Sequence, residues 1–85
     1  GALVRALGVA EQVEVDIYEI RVKVGEIFLT CSDGLTSMVS DRKITSIMKE
    51  YQERPDLIPA KMIDEANKNG GRDNITVIVS EVLKN

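Results

Sequence analysis

Two runs of this chain, "IFLTC" at 27–31 and "ITVIVSEV" at 75–82, are apolar on both sides of a period-two pattern. In the first, Ile27, Leu29 and Cys31 oppose Phe28 and Thr30; in the second, Ile75, Val77 and Val79 oppose Thr76 and Ile78. A strand with one apolar face can leave the other in water, but a strand with two needs cover on both sides. The pattern therefore rules out a lone hairpin and predicts central strands of something layered.

Two helices are predicted between these strands. Ser40 or Asp41 caps the first, whose apolar residues Ile44, Ile47, Met48 and Tyr51 fall at i, i+3, i+4 and i+7. "ERPD" at 53–56 breaks it. Asp56 is placed to cap the second, with Pro59 tolerated in its first turn. Ile58, Met62, Ile63 and Ala66 form its apolar face, and Asn69-Gly70 ends it in a left-handed cap. Upstream, "VEVDIYEIRVKVGEIFLTCSDG" reads as a hairpin turning at Gly25-Glu26. Its first arm is apolar at Val13, Val15 and Ile17, then at Tyr18, Ile20, Val22 and Val24. Such a change of phase predicts a bulge near Tyr18–Glu19. The expected order is β-β-α-α-β, an α+β fold with an antiparallel sheet and a two-helix layer.

Composition narrows the chemistry. At 85 residues the chain makes one domain at most. A net charge of −3 with no basic run argues against nucleic acid or an anionic membrane as partner. No apolar stretch approaches the ~20 residues of a membrane span. The single cysteine, Cys31, excludes an internal disulfide, fits a reducing cytosol and is expected to be a core residue. Histidine is absent, which removes the usual general acid–base group and the commonest transition-metal ligand. Any chemistry must rest on carboxylates. The opening "GALVRALG", apolar at once and without an initiator Met, reads as a piece cut from a longer protein.

The predicted helix pair returns the chain to the end of the sheet from which it left. The strands at 27–31 and 75–82 are then antiparallel and adjacent, and Asp33 and Asp73 meet at one sheet edge although forty positions apart. Two ionised carboxylates a few ångströms apart repel unless one is protonated or a cation lies between them. Oxygen-only ligands favour a hard ion such as Mg²⁺ or Mn²⁺. Spacing alone leaves a second reading open, in which Asp33-Gly34 is a turn signal and Asp73 a strand-start cap. Arg72 is read as a surface ion-pair residue, and Asp41 as a helix cap rather than a ligand.

"TCSDGLTSMVSD" together with "GGRDNITVIV" resembles the last third of a PPM-type (type-2C) Ser/Thr protein phosphatase in its bacterial form, and "VRALG" resembles the stretch before those strands. The resemblance implies that Asp33 and Asp73 are ligands of a dinuclear Mn²⁺/Mg²⁺ centre, with Asn74 helping to hold the loop. It implies metal-assisted hydrolysis of a phosphoprotein substrate in the cytoplasm, with no nucleophile supplied by this chain. The family's amino-terminal part carries a bridging Asp, a phosphate-holding Arg and a His proposed as general acid, none of which has a counterpart here. Residues 1–85 are accordingly expected to form a single partial domain, part of the family's α-β-β-α sandwich, inactive alone and self-associating through its uncovered sheet face. The alternative is a non-catalytic interaction domain derived from the same fold.

Overall fold

The structure is a computed structural model and describes the backbone of residues 3–7 together with residues 14–70 and 75–84. Strands β1 (Leu3–Leu7), β2 (Glu14–Val22) and β3 (Gly25–Ser32) are followed by the short helix α1 (Asp33–Thr36) and by α2 (Asp41–Glu50). A 3₁₀ turn at Pro55–Leu57 leads into α3 (Ile58–Lys68), and β4 (Val77–Leu83) closes the sheet. Neighbours along the sheet run β1-β2-β3-β4, every pair antiparallel. The α+β class and the adjacency of β3 and β4 are as expected. Strand β1 and helix α1 are additions to the expected order.

The sheet has one covered face. Tyr18, Ile20, Ile27, Leu29 and Cys31 point from it into a core completed by Leu35, Val39, Ile44, Ile47, Met48, Ile58, Met62 and Ala66 from the helical side. Phe28 and Thr30 lie on the opposite face and are half-buried, while Ile78 and Val82 there are 55% and 53% exposed. Among the described residues β4 is an edge strand rather than a central one.

The expected bulge is absent. From Val15↔Ser32 to Val22↔Gly25 the register of β2 on β3 advances one residue on each strand without a break. Asp16 instead occupies a core-facing position in line with Tyr18 and Ile20, and is 1% exposed. Val15 and Ile17 belong to the other face. The phase never changed; a buried carboxylate sits in an apolar row, and the prediction failed by assigning every acidic residue to solvent.

Three smaller expectations are also corrected. Asp56 does not cap α3: it pairs with the Arg54 guanidinium at 3.0 Å, and the helix begins at Ile58 with no side-chain cap. The exposed pair holds the Asp56 carboxyl below its usual range, chiefly through the hydrogen bond from Arg54. Ile63 is 38% exposed, so the buried row of α3 is Ile58, Met62 and Ala66 alone. The hairpin turns at Lys23-Val24, and Gly25 is already the first residue of β3. By contrast, Ser40 caps α2 as expected, accepting from the Lys43 N–H at 3.2 Å.

Gly25 is fixed by close approach. At φ +153 a Cβ built there would collide with the Val82 carbonyl oxygen, so β4 can pair at this level only with glycine. Gly25→Ala is expected to destabilise the fold by about 2–4 kcal/mol through strain and displacement of β4. A urea-unfolding midpoint equal to that of the parent chain would contradict this.

Candidate functional site

The β3–β4 ladder continues past the formal strand ends. The Ser32 N–H donates to the Thr76 carbonyl at 3.0 Å, and the Thr76 N–H donates to Ser32 Oγ at 3.1 Å. Ser32 precedes α1 but makes no side-chain cap, its hydroxyl being engaged across the sheet. Asp33 follows as the first residue of α1. Its backbone is tied down, because the Ser37 N–H donates to the Asp33 carbonyl at 3.0 Å and the Thr36 hydroxyl reaches the same oxygen at 3.4 Å. Gly34 and Leu35 are buried beneath it. The Asp33 side chain is exposed, and among the described residues its carboxylate takes no hydrogen bond or ion pair.

From the other direction, α3 ends at Asn69 and Gly70, whose φ of +83 is the left-handed cap expected there. The Asn69 side-chain Nδ2 donates to the Met38 carbonyl at 2.7 Å. Gly71, Arg72, Asp73 and Asn74 lie outside the described residues, and the Asp73 assignment lies there with them. Both flanks of that stretch, Asn69 and Thr76, are thus bonded to the segment 32–38 that carries Asp33. Among the described residues no three of His, Cys, Asp or Glu come together as a group that could hold a metal ion.

A second polar group lies inside the fold. The buried Tyr18 hydroxyl donates to an Asp41 carboxylate oxygen at 2.5 Å, joining the middle of β2 to the first turn of α2. Asp41 is therefore not the cap of α2 but a tether between that helix and the sheet. Burial first, and then the bond to Asp41, raise the Tyr18 pKa above its ordinary value. Cys31, paired in register with Asp16, is pushed up to about 12 by burial and then by the charges of Asp16 and Asp41. Only a thiolate is nucleophilic, so Cys31 is an inert core residue, as expected. Sequence reasoning missed Asp16, the Tyr18–Asp41 tether and the Asn69 bond. Of these only Asp16 left a signal, the even-numbered row Asp16-Tyr18-Ile20-Val22 read without interruption.

The chain is similar along most of its length to bacterial protein phosphatases. It is 42% identical over 82 residues to the Serine/threonine phosphatase stp of Listeria monocytogenes, a match that covers 93% of this chain and 31% of the relative. It is 34% identical over 83 residues to the Serine/threonine protein phosphatase PstP of Mycobacterium tuberculosis, covering 95% of this chain and 15% of the relative. A putative protein phosphatase 2C-type of Streptococcus pyogenes is 36% identical over 75 residues, or 88% of this chain and 30% of its own length. No family model and no solved structure matches. The antiparallel α+β unit and these relatives together agree with a partial unit of the type-2C phosphatase fold. The chain belongs to the PPM-type (type-2C) family and corresponds to a C-terminal part of its members. It spans about a third or less of the length of these curated relatives.

Proposed function

We propose that residues 1–85 are a partial domain of a cytoplasmic, metal-dependent phosphoserine/phosphothreonine protein phosphatase, contributing Asp33 and Asp73 as ligands of a dinuclear Mn²⁺ or Mg²⁺ centre. The observation that carries the reading is the pair of hydrogen bonds between Ser32 and Thr76. Thr76 is three residues from Asp73, and chain geometry allows such a span no more than about 11 Å. Asp33 fits the role of a hard-ion ligand, being an exposed carboxylate with no partner among the described residues, held on a firmly bonded turn.

When bound, divalent ions supply Lewis-acid activation of the attacking water and charge to stabilise the phosphoryl oxygens. The chain's own residues do less. Asp33 and Asp73 would hold the ions and Asn74 would brace the loop, next to the buried Gly34. None of them serves as nucleophile or general acid. The upstream part of the phosphatase supplies the remaining ligands and the phosphate-binding group, and the phosphoprotein substrate binds the complete enzyme.

The isolated chain is accordingly expected to show no hydrolysis of p-nitrophenyl phosphate with added Mn²⁺, while an intact enzyme containing it turns over. Clear turnover by the 85-residue chain would refute the division of labour. The exposed apolar face around Ile78 and Val82 would also suit a non-catalytic interaction domain. Such a domain has no need of a carboxylate at each of positions 33 and 73, which favours the enzyme.

A further inference from the structure

Hydrogen bonds at the two ends of β4 show which of its backbone groups face outward. The Ser32 N–H donates to the Thr76 carbonyl at 3.0 Å, and the Lys84 N–H donates to the Val24 carbonyl at 2.7 Å. Thr76 and Lys84 are both even-numbered, and backbone groups on a regular antiparallel strand alternate in direction. The register from Gly25↔Leu83 to Cys31↔Val77 runs without a break, so the alternation holds throughout. Ile78, Ser80 and Val82 therefore turn their N–H and C=O groups toward β3. Those of Val77, Val79, Glu81 and Leu83 point away from it. Among the described residues no strand pairs with that outer edge.

Edges of this kind are commonly blunted by Lys, Pro or a bulge. Val77–Leu83 has no Lys or Pro, its ladder has no bulge, and its one charged residue is Glu81. The helical layer leaves room beside it, in a groove of about 390 Å³ lined by Pro55, Asp56, Pro59, Val79 and Glu81. Strand addition here requires odd-numbered residues of one strand to face odd-numbered residues of the other. A second copy running antiparallel meets this condition when a two-fold axis passes a residue of β4. An axis at Glu81 sets two carboxylates directly opposite, which is destabilising. An axis at Val79 wastes Ile78 on Ser80 and Val82 on Thr76. An axis at Ser80 sets Ile78 against Val82 and Val77 against Leu83, each pair twice, with Val79 opposite Glu81. Ile78, Val82 and Leu83 are all more than half exposed in the single chain.

We infer that β4 is a self-pairing strand: two copies of the chain join antiparallel along Val77–Leu83, centred on Ser80, into one continuous sheet. The odd-numbered residues then exchange about eight backbone hydrogen bonds across the joint. Both helical layers lie on the same side, because the axis is normal to the sheet. Nothing in this pairing depends on a bound metal ion.

The test is amide hydrogen exchange, started at chain concentrations from low to high micromolar and read residue by residue. Amides of Ile78, Ser80 and Val82 are expected to be protected throughout, being bonded to β3. Those of Val79 and Glu81 are expected to exchange freely when dilute and to slow about 10-fold or more as concentration rises. Glu81→Pro removes an outward N–H and spares the bonds to β3. It should leave Val79 exchanging freely at every concentration, with protection at Leu29 reporting that the variant folds. Ser80→Cys gives an independent check that needs no proline. Its thiols meet on the axis as a non-hydrogen-bonded pair with Cα atoms about 4.5 Å apart, within reach of a disulfide. Mild oxidation is expected to yield a covalent dimer, whereas Thr76→Cys, displaced from the axis, stays unlinked. The native Cys31 is buried and does not compete. Free exchange at Val79 and Glu81 at all concentrations would overturn the proposal, association then running through the sheet face alone. Protection that persists at every dilution would overturn it too, because the chain would cover its own edge. No cross-link in Ser80→Cys, or an equal one in Thr76→Cys, would overturn the register and the pairing built on it.

Discussion

In an intact phosphatase containing this segment, Asp33→Ala is expected to lower kcat by at least roughly 10²-fold while leaving the thermal midpoint within a few degrees of the parent. The two halves of that result have separate causes. Asp33 is exposed, and its carboxylate has no bonding partner among the described residues, so its loss breaks nothing in the fold. The turn is held by the Asp33 backbone carbonyl, which the alanine variant keeps. On the proposed reading, what disappears is a carboxylate that would hold a divalent ion. Asp73→Asn should behave alike, with turnover partly restored by raised Mn²⁺, because the amide oxygen still coordinates weakly. Wild-type turnover in either variant would remove both residues from the centre, whereas a collapse of the thermal midpoint would assign Asp33 a structural role instead.

The second large effect is self-association of the chain on its own. Helices α2 and α3 cover one face of the sheet; the other carries Ile17, Phe28, Thr30, Ile78 and Val82, with Ile78 and Val82 more than half exposed. At ~25 cal/mol per Å², covering even a few hundred Å² of apolar surface favours association by several kcal/mol before the cost of immobilising two chains. A second copy can lay its own uncovered face across this one, sheet on sheet. The outer edge of β4, unpaired among the described residues, offers a further route by strand addition. Light scattering at high micromolar concentration is therefore expected to report a dimer or larger species. The double change Ile78→Lys, Val82→Lys should return it to monomer, since two cations on that face oppose burial. A stable 9.4 kDa monomer of the unaltered chain would contradict the account.

How much of this was legible in the residues depends on what each pattern encodes. The antiparallel adjacency of β3 and β4 followed from two helices between two strands, since a helical pair returns the chain to where it left. The Ser40 cap and the left-handed Gly70 were readable because each local geometry demands a particular residue type. Strand β1 was not, because "LVRAL" has too few residues to show a period, and its pairing with β2 is a tertiary matter. Asp16 was misread since hydropathy places a carboxylate in water unless its neighbours are known. The Tyr18–Asp41 and Asn69–Met38 bonds join residues 23 and 31 positions apart, and no local pattern announces such contacts. For the candidate site, Asp33 lies exposed at the start of α1, while Asp73 lies outside the described residues, so the pairing of the two stays a proposal.

The central claim is that Asp33 and Asp73 serve one ion. Its most direct measurement is a Mn²⁺ titration of the ¹⁵N-labelled chain, in which the paramagnetic ion broadens amide signals near wherever it sits. Signals around Asp33 and around Asp73 are expected to fade together, with one midpoint in roughly the millimolar range of a poorly caged divalent site. Asp33→Asn should then abolish the broadening at both places. Broadening at the two segments with different midpoints, or broadening near Asp73 that survives Asp33→Asn, would show two independent surface carboxylates and contradict the account.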